Sequence, residues 1–541
     1  MADIIILDGD IRTLDPLRPR ARAMAIRGTR ILAVGDDADI RTLGHSKTRI
    51  IDAGGRLVLP GFQDTHIHLQ DSGTRHAFDV DLSGLYTVAE LCETVGRFAA
   101  IHPERDWIKG HGWYSGIFTD RSLTRGALDA VVPDRPVILF ASDYHSAVIN
   151  SKACDLIGLD ASVPDPHNGY FSRDADGVPT GMLNEQAMEW ARHRMPETTD
   201  ADFEEGVRWG QAHANRHGFT GVLDALVTDR HLRVYGALDR RGELTVRVAS
   251  TALVEPSDTV EAALARTESF RRDYHSEMLK VHSAKFFLDG VLENRTAAMI
   301  DGYKDEAGGN APVMFGENHL RELFIAFDAA RFQIHCHVIG DKAVRAALDG
   351  LEAARDVNGD WPSLHQLAHV QLVRPEDIPR FAKLDVMANI QPLWARAEPS
   401  VTEVAVPMAG PDLAPWHYPF RSIIDAGASV ALSSDWGVST LNPFPIMQTA
   451  ITRQPPDKGR DYPVFLPEQR MSLEECIKGY TINAAAAAWR SADTGSIEPG
   501  KYADVIILDR NLFDIDVYDI HKTQVLLTMV GGKEAWRDPA L

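Results

Sequence analysis

Short apolar runs recur along the chain, separated by segments long enough for helices, the pattern of repeated β/α units around a parallel sheet. Eight of these runs predict strands: Leu57 to Leu69, Phe219 to Leu226, Leu244 to Thr251, Val281 to Leu288, Phe332 to His337, His365 to Val370, Val386 to Gln391 and Ser429 to Ser434. Eight units fit an α/β fold, a (β/α)8 TIM barrel over residues 61–489. The interval between the first two runs is far longer than one helix requires. Residues 70–200 are therefore expected to form a lid insertion at the barrel mouth, with Val163 to Gly181, rich in Pro, Gly and Asp, as a covering loop.

The two ends of the chain read differently. Ile4 to Leu7, Ala23 to Ile26, Arg30 to Val34 and Ile50 to Ile51 are short β segments between turn signals, and Ala503 to Asp509 and Gln524 to Lys533 repeat that pattern near the carboxyl terminus. Short strands at each terminus cannot bury a face alone, so residues 1–60 and 490–541 are expected to pair into one small β-sandwich domain. Ala484 to Ala488 reads as helix.

Composition narrows the classes. A chain of 541 residues with 44% hydrophobic and 25% charged positions can bury a large core and is not of disordered type. The net charge of −21 comes without any basic tract, which excludes nucleic acid as an expected partner. There is no apolar run long enough for a membrane span and no secretory signal at the start, and Cys92, Cys154, Cys336 and Cys476 form no C-x-x-C pair. A cytoplasmic protein acting on a small molecule is the expectation, with a homo-oligomer left open.

His66 and His68 close the first predicted strand, and the period of two puts both side chains on one side. With 21 histidines in the chain, such a pair arises about 0.8 times by chance, and His335 and His337 form a second one. Position carries more weight than the pair. Lys285, His337, His369 and Asp435 all fall at the carboxyl ends of later predicted strands, and in a (β/α)8 barrel those ends converge on one face. Imidazoles with a carboxylate suit Zn²⁺ or another divalent first-row ion, one or two per site. His335 shares the face of His337 and reads as a residue that fixes a ligand by hydrogen bonding. Asp289 and Asp341 stand beside glycines in turn-like contexts and read as caps or acceptors, while Asp64 and Gln63 read as loop supports.

Several segments resemble the amidohydrolase superfamily: LPGFQDTHIHL, KFFLDG at Lys285 to Gly290, HVIGDKAV from His337, LAHVQLV from Leu367, SSDWGV from Ser433 with NPF from Asn442, and GSIEPGKYADVIILD from Gly495. The similarity narrows to the amidohydrolase-3 branch, which includes N-substituted formamide deformylase-like proteins, and extends into the insertion at Gly110 to Phe118, Pro133 to Ser151 and Asp176 to Glu185. The resemblance implies a distorted barrel with a terminal sandwich. It also implies metal binding by His66, His68, His337, His369 and Asp435, with Lys285 at a position where many members carry a carboxylated lysine that bridges two metals. Asp435 would take a proton from the attacking water and pass it to a departing amine. A non-peptide C–N bond of an amide, formamide or cyclic amide is the implied target. Deamination of a ring amidine with one metal, or a silent scaffold acting as a regulator, are the alternatives.

Further candidates are His145 as a catalytic donor to the carbonyl oxygen, or else a packing residue of the insertion. Arg295 is a candidate clamp for an anionic substrate group, or else a structural salt bridge. Trp113 and Tyr114 are candidate substrate contacts, and with Trp107, Phe118, Tyr144 and Trp394 they are expected either to line an apolar pocket or to be core.

Overall fold

The computed structural model describes residues 1–113, 123–141, 146–167 and 169–541, which form two compact units, Met1–Leu69 with Gln211–Leu541 and Gln70–Gly210. His145, Tyr114, Phe118 and Tyr144 lie outside the described residues.

The first unit contains an eight-stranded sheet of Phe62–Ile67, Phe219–Val227, Arg247–Leu253, Leu279–Phe287, Gln333–Val338, Gln366–His369, Met387–Ile390 and Val430–Leu432, in chain order around the sheet. Every neighbouring pair is parallel. Parallel pairing of consecutive strands requires a crossover between them, and helices such as Asp229–Arg240, Val260–Asp273, Glu317–Ala329 and Asp341–Asn358 supply it. These helices bury an apolar stripe against the outside of the sheet: Phe324 and Phe327 of one helix meet Phe286 edge-on, at centroid distances of 5.1 and 5.7 Å. Strands covered on both faces are buried almost throughout, as all-parallel sheets require. The result is a nearly closed, distorted TIM barrel.

The seam between the first and eighth strands is closed by single contacts rather than a regular ladder. The Asp435 amide donates to the His66 carbonyl at 2.9 Å, the His68 amide to the Trp436 carbonyl at 2.8 Å, and the Thr65 hydroxyl to the Leu432 carbonyl at 3.1 Å. Chain topology alone thus sets the His66/His68 pair beside Asp435.

Where one strand was expected over Leu57 to Leu69, there are two. Leu57–Pro60 pairs antiparallel with Val505–Leu508 outside the barrel, and Phe62–Ile67 enters it. Gly61 stands between them because a Cβ there would lie 2.2 Å from Thr220 Cγ2. The strand Val505–Leu508 also pairs with Val525–Val530, and Gly531 and Gly532, both at positive φ, turn the chain into a final strand, Lys533–Arg537. This six-stranded sheet and a four-stranded sheet built on Ile4–Leu7 share one core, in which Ile6, Met24 and Ile26 meet Val58, Val505 and Leu527. Arg247, 2% exposed, forks onto the buried Asp504 at 2.8 and 3.1 Å and so ties the third barrel strand to the segment entering that sheet.

The second unit has its own six-stranded mixed sheet, ordered Gly169–Arg173, Pro179–Glu185, Ser146–Ile149, Val137–Ala141, Ile108–Trp113, Val80–Asp81. The helix Val88–Ile101 begins with a capping box between Thr87 and Glu90 and buries Leu91 and Val95 in that unit's core. The stretch Val163 to Gly181, expected as a loop, contains the first strand and the turn of a hairpin whose second strand runs on to Glu185. The Asp174 side chain accepts from the amides of Asp176 and Val178, and Gly177 takes positive φ, so the polar residues form the turn between two strands.

Candidate metal centre

Strand alternation decides which side chains meet inside the barrel. His335 and His337 are two apart on the fifth strand, Lys285 lies on the fourth, His369 ends the sixth, and Asp435 follows the eighth. One donor atom from each of His66, His369 and Asp435 lies within 4.8 Å of the others, and all three residues are buried. A cation held tetrahedrally at about 2.1 Å spaces its ligand atoms by roughly 3.4 Å, so the trio stands near the spacing a single ion needs. His68 Nε2 is 3.4 Å from Asp435 Oδ1, and the His337 ring lies 4.4 Å from that of His369. Of the six residues named from strand ends, His66, His369 and Asp435 thus form the group that could share one ion, with His68 beside Asp435 and His337 beside His369.

The donor set fits a cation electrostatically as well. Burial pushes the imidazoles of His66 and His369 well below their ordinary range, and neighbouring cationic groups push them further, so both are neutral and offer lone pairs. Burial would raise the Asp435 carboxyl, but the His68 ring, 3.4 Å from its Oδ1, and the nearby positive charge of Lys285 outweigh it and hold Asp435 ionised. Lys285 is fully buried, its Nζ has no hydrogen-bond partner among the described residues, and burial lowers its ammonium to about 8 against the opposing pull of Asp435. Asp435 Oδ1 likewise lacks a hydrogen-bond partner. A cation bound here would supply the partner that Asp435 Oδ1 lacks.

A second layer orients these side chains. His335, fully buried, sets Nε2 2.9 Å from His66 Nδ1, which leaves His66 Nε2 facing Asp435. His369 Nδ1 lies 2.8 Å from Gln391 Oε1, and the Trp394 ring stacks on that imidazole with centroids 5.7 Å apart. Asp289 accepts from the amides of Ala298, Ile339 and Gly340 and stands 3.4 Å from His337 Nδ1, while Asp341 takes the Ile300 amide and Arg374. Asp64 accepts from the amides of His66 and Ser434 across the barrel seam. His369 and Asp435 have φ of 75° and 54°, left-handed values that L residues adopt only where surrounding contacts impose them.

Two candidates show the second of the readings given for them. Arg295 is no open clamp, because both arms of its guanidinium are taken by Asp305 at 2.7 and 3.0 Å, and it also donates to the Gly308 carbonyl. Trp113 is 1% exposed in the core of the second unit, with its indole N–H donating to the Leu139 carbonyl at 2.9 Å, so it offers no face to a substrate. Trp107 packs against that unit's other apolar cluster. Gln391, Asn389 and Ser433 were not singled out from sequence. The signal was present, since Gln391 follows the seventh strand as His369 ends the sixth, but amides are not metal ligands of first choice.

A (β/α)8 barrel with histidines and an aspartate gathered at the carboxyl ends of its strands is the architecture of a metal-dependent hydrolase. The chain belongs to the amidohydrolase family, in its amidohydrolase-3 branch: the family model matches residues 49–535. Among its relatives are Protein LONG AFTER FAR-RED 3 of Arabidopsis thaliana, 30% identical over 99% of this chain and 92% of that protein, and N-substituted formamide deformylase of Arthrobacter pascens, 29% identical over 98% of both. An uncharacterised metal-dependent hydrolase of Pyrococcus horikoshii superposes with a TM-score of 0.77 at 25% identity, covering 95% of this chain and 99% of that one. Among the described residues, no helix is long and apolar enough to cross a membrane.

Proposed function

We propose that this protein hydrolyses a non-peptide C–N bond in a small amide, formamide or cyclic amide at a zinc centre held by His66, His68, His337, His369 and Asp435. The observation that carries the reading is the approach of His66, His369 and Asp435 donor atoms to within 4.8 Å of one another in a buried site. The deformylase relative, similar over nearly its whole length, supports the choice of bond. A divalent ion bound there supplies the charge that acidifies a water and polarises a carbonyl.

Asp435 does the proton work. Its carboxylate, kept ionised by His68, accepts the proton of the attacking water and returns it to the nitrogen as the C–N bond breaks, so the amine leaves neutral. His66 and His369, neutral through burial, bind without competition from protons near neutral pH. Lys285, if carboxylated, would complete the set through its carbamate oxygens, since an ammonium has no lone pair. Burial lowers its pKa to about 8, so a fraction of the amine is free near neutral pH to add CO2 and release a proton as the carbamate forms.

The test is turnover of a panel of N-acyl, N-formyl and lactam compounds by metal-stripped and zinc-restored protein. His337→Ala is expected to abolish turnover in a chain that remains folded. Full activity after stripping, or hydrolysis confined to ring amidines, would remove this reading.

A further inference from the structure

We propose that Asn389 and Gln391 form an amide relay that fixes which nitrogen of His369 is bare, making both positioning residues of the metal centre. The inference rests on the reading of His369 as a ligand.

An amide side chain can be turned either way, so its direction must be derived from a group that has only one role. That group is the Thr65 carbonyl, which can only accept. Asn389 Nδ2 lies 2.8 Å from it and 2.8 Å from Gln366 Oε1, so both amide hydrogens of Asn389 are used there and its Oδ1 faces the opposite way. Oδ1 accepts from Gln391 Nε2 at 3.1 Å and from the Ser433 hydroxyl at 2.6 Å. Ser433, having donated, offers its oxygen to the second hydrogen of Gln391 Nε2 at 2.7 Å. With both its hydrogens placed, Gln391 presents Oε1 to His369 Nδ1 at 2.8 Å. That oxygen can only accept, so the proton of neutral His369 sits on Nδ1 and the lone pair sits on Nε2.

The alternative is costly at every step. Reversing Gln391 would set an N–H against His369 Nδ1, move the imidazole proton to Nε2 and leave Gln391 Oε1 facing Asn389 Oδ1. Reversing Asn389 to compensate would put its oxygen against the Thr65 carbonyl. Thr65, Asn389, Gln391 and Ser433 are each at most 2% exposed, so water cannot repair a mismatch, and each unmade bond costs about 1–3 kcal/mol. Thr65 directly precedes His66. The relay therefore ties the position of one candidate ligand to the tautomer of another across the barrel interior, through the seventh and eighth strands.

The experiment uses the full-length protein with labelled histidine side chains, read by heteronuclear NMR before zinc is added. The His369 signals are identified by their loss in His369→Gln. The expected result is the Nδ1–H tautomer in metal-free wild type. Zinc affinity, measured by competition with a chelator, is expected to fall roughly 10- to 100-fold in Gln391→Leu, which removes the acceptor. An Nε2–H tautomer in the metal-free protein would overturn the relay, and that measurement needs no variant of Gln391 to fold. Wild-type zinc affinity in Gln391→Leu would overturn it too, provided His369→Gln has lost zinc. Should His369→Gln load zinc as tightly as wild type, the ligand reading itself falls and the relay falls with it.

Discussion

His417 offers a test of the interior that is independent of any metal. The residue is fully buried and neither ring nitrogen has a hydrogen-bond partner among the described residues. Burial, and next the nearby charge of Arg453, push its pKa down from 6.5 to about 3. The native state therefore keeps this imidazole neutral through mild acid, while the unfolded chain protonates it near 6.5. Between those values the unfolded state binds the extra proton, so stability is lost as pH falls below about 6.5 and the loss levels off near pH 3. From about pH 7.5 to about pH 5 the loss is roughly 1.5 pKa units at 1.36 kcal/mol each, or about 2 kcal/mol. His417→Leu removes that dependence. Its packing defect adds an offset that does not vary with pH, so the informative quantity is the change in the Tm difference between variant and wild type across the two pH values. With unfolding entropy near 2 cal/mol/K per residue, about 2 kcal/mol corresponds to about 2 °C in favour of the variant at the lower pH. Scans at one fixed rate would measure it. A Tm difference that is constant with pH, or one that moves against the variant, would refute the assignment of His417 as a neutral, unpartnered group.

Arg247→Met is expected to cost about 3–5 kcal/mol, because it strands the Asp504 carboxylate in a buried site, and the double variant Arg247→Met/Asp504→Leu should recover much of the loss in denaturant titrations. Arg295→Gln should leave kcat/KM within about two-fold for neutral and anionic substrates alike, since its fork is already occupied by Asp305; a rise in KM confined to anionic substrates would restore its role as a clamp. Chelation of a zinc-loaded sample should lower Tm, and the stabilisation regained on adding zinc should follow its free concentration, reaching about 4 kcal/mol at 1,000 times Kd. His369→Ala should abolish that zinc-dependent gain.

The barrel was legible because its strands are covered on both faces and so appear as apolar runs at β/α spacing. The errors fall where a local pattern serves a distant partner. LVLPGF reads as one run, yet Leu57–Pro60 belongs to a sheet completed by Val505–Leu508 from the other end of the chain, and only the contact of Gly61 with Thr220 reveals where the run divides. The third strand was expected from Leu244 but begins at Arg247. Nothing in the local sequence marks that arginine as a buried strand residue, because Asp504, which neutralises it, is remote. The hairpin that begins within Val163 to Gly181 was missed for a different reason: its turn residues are so dense that they mask the short strands Gly169–Arg173 and Pro179–Glu185 on either side.

At the site, chemical type and strand end together suffice to propose the ligand-type residues, with no knowledge of what each side chain touches. Arg295 and Trp113 mark the limit of that rule. Both have the chemistry for binding, and in both a partner has already taken it: Asp305 holds the guanidinium, and the Leu139 carbonyl with the surrounding core holds the indole. Gln391 fails it in reverse, since an amide carries no chemistry of its own and acquires a role only from the direction in which Asn389 and Ser433 turn it. Residue type therefore says which groups are able to bind, whereas the hydrogen bonds around a group say whether its lone pair or its charge is still available. A site of neutral histidines depends on both, because an imidazole with its proton on the wrong nitrogen is the right residue in the right place with nothing to offer an ion.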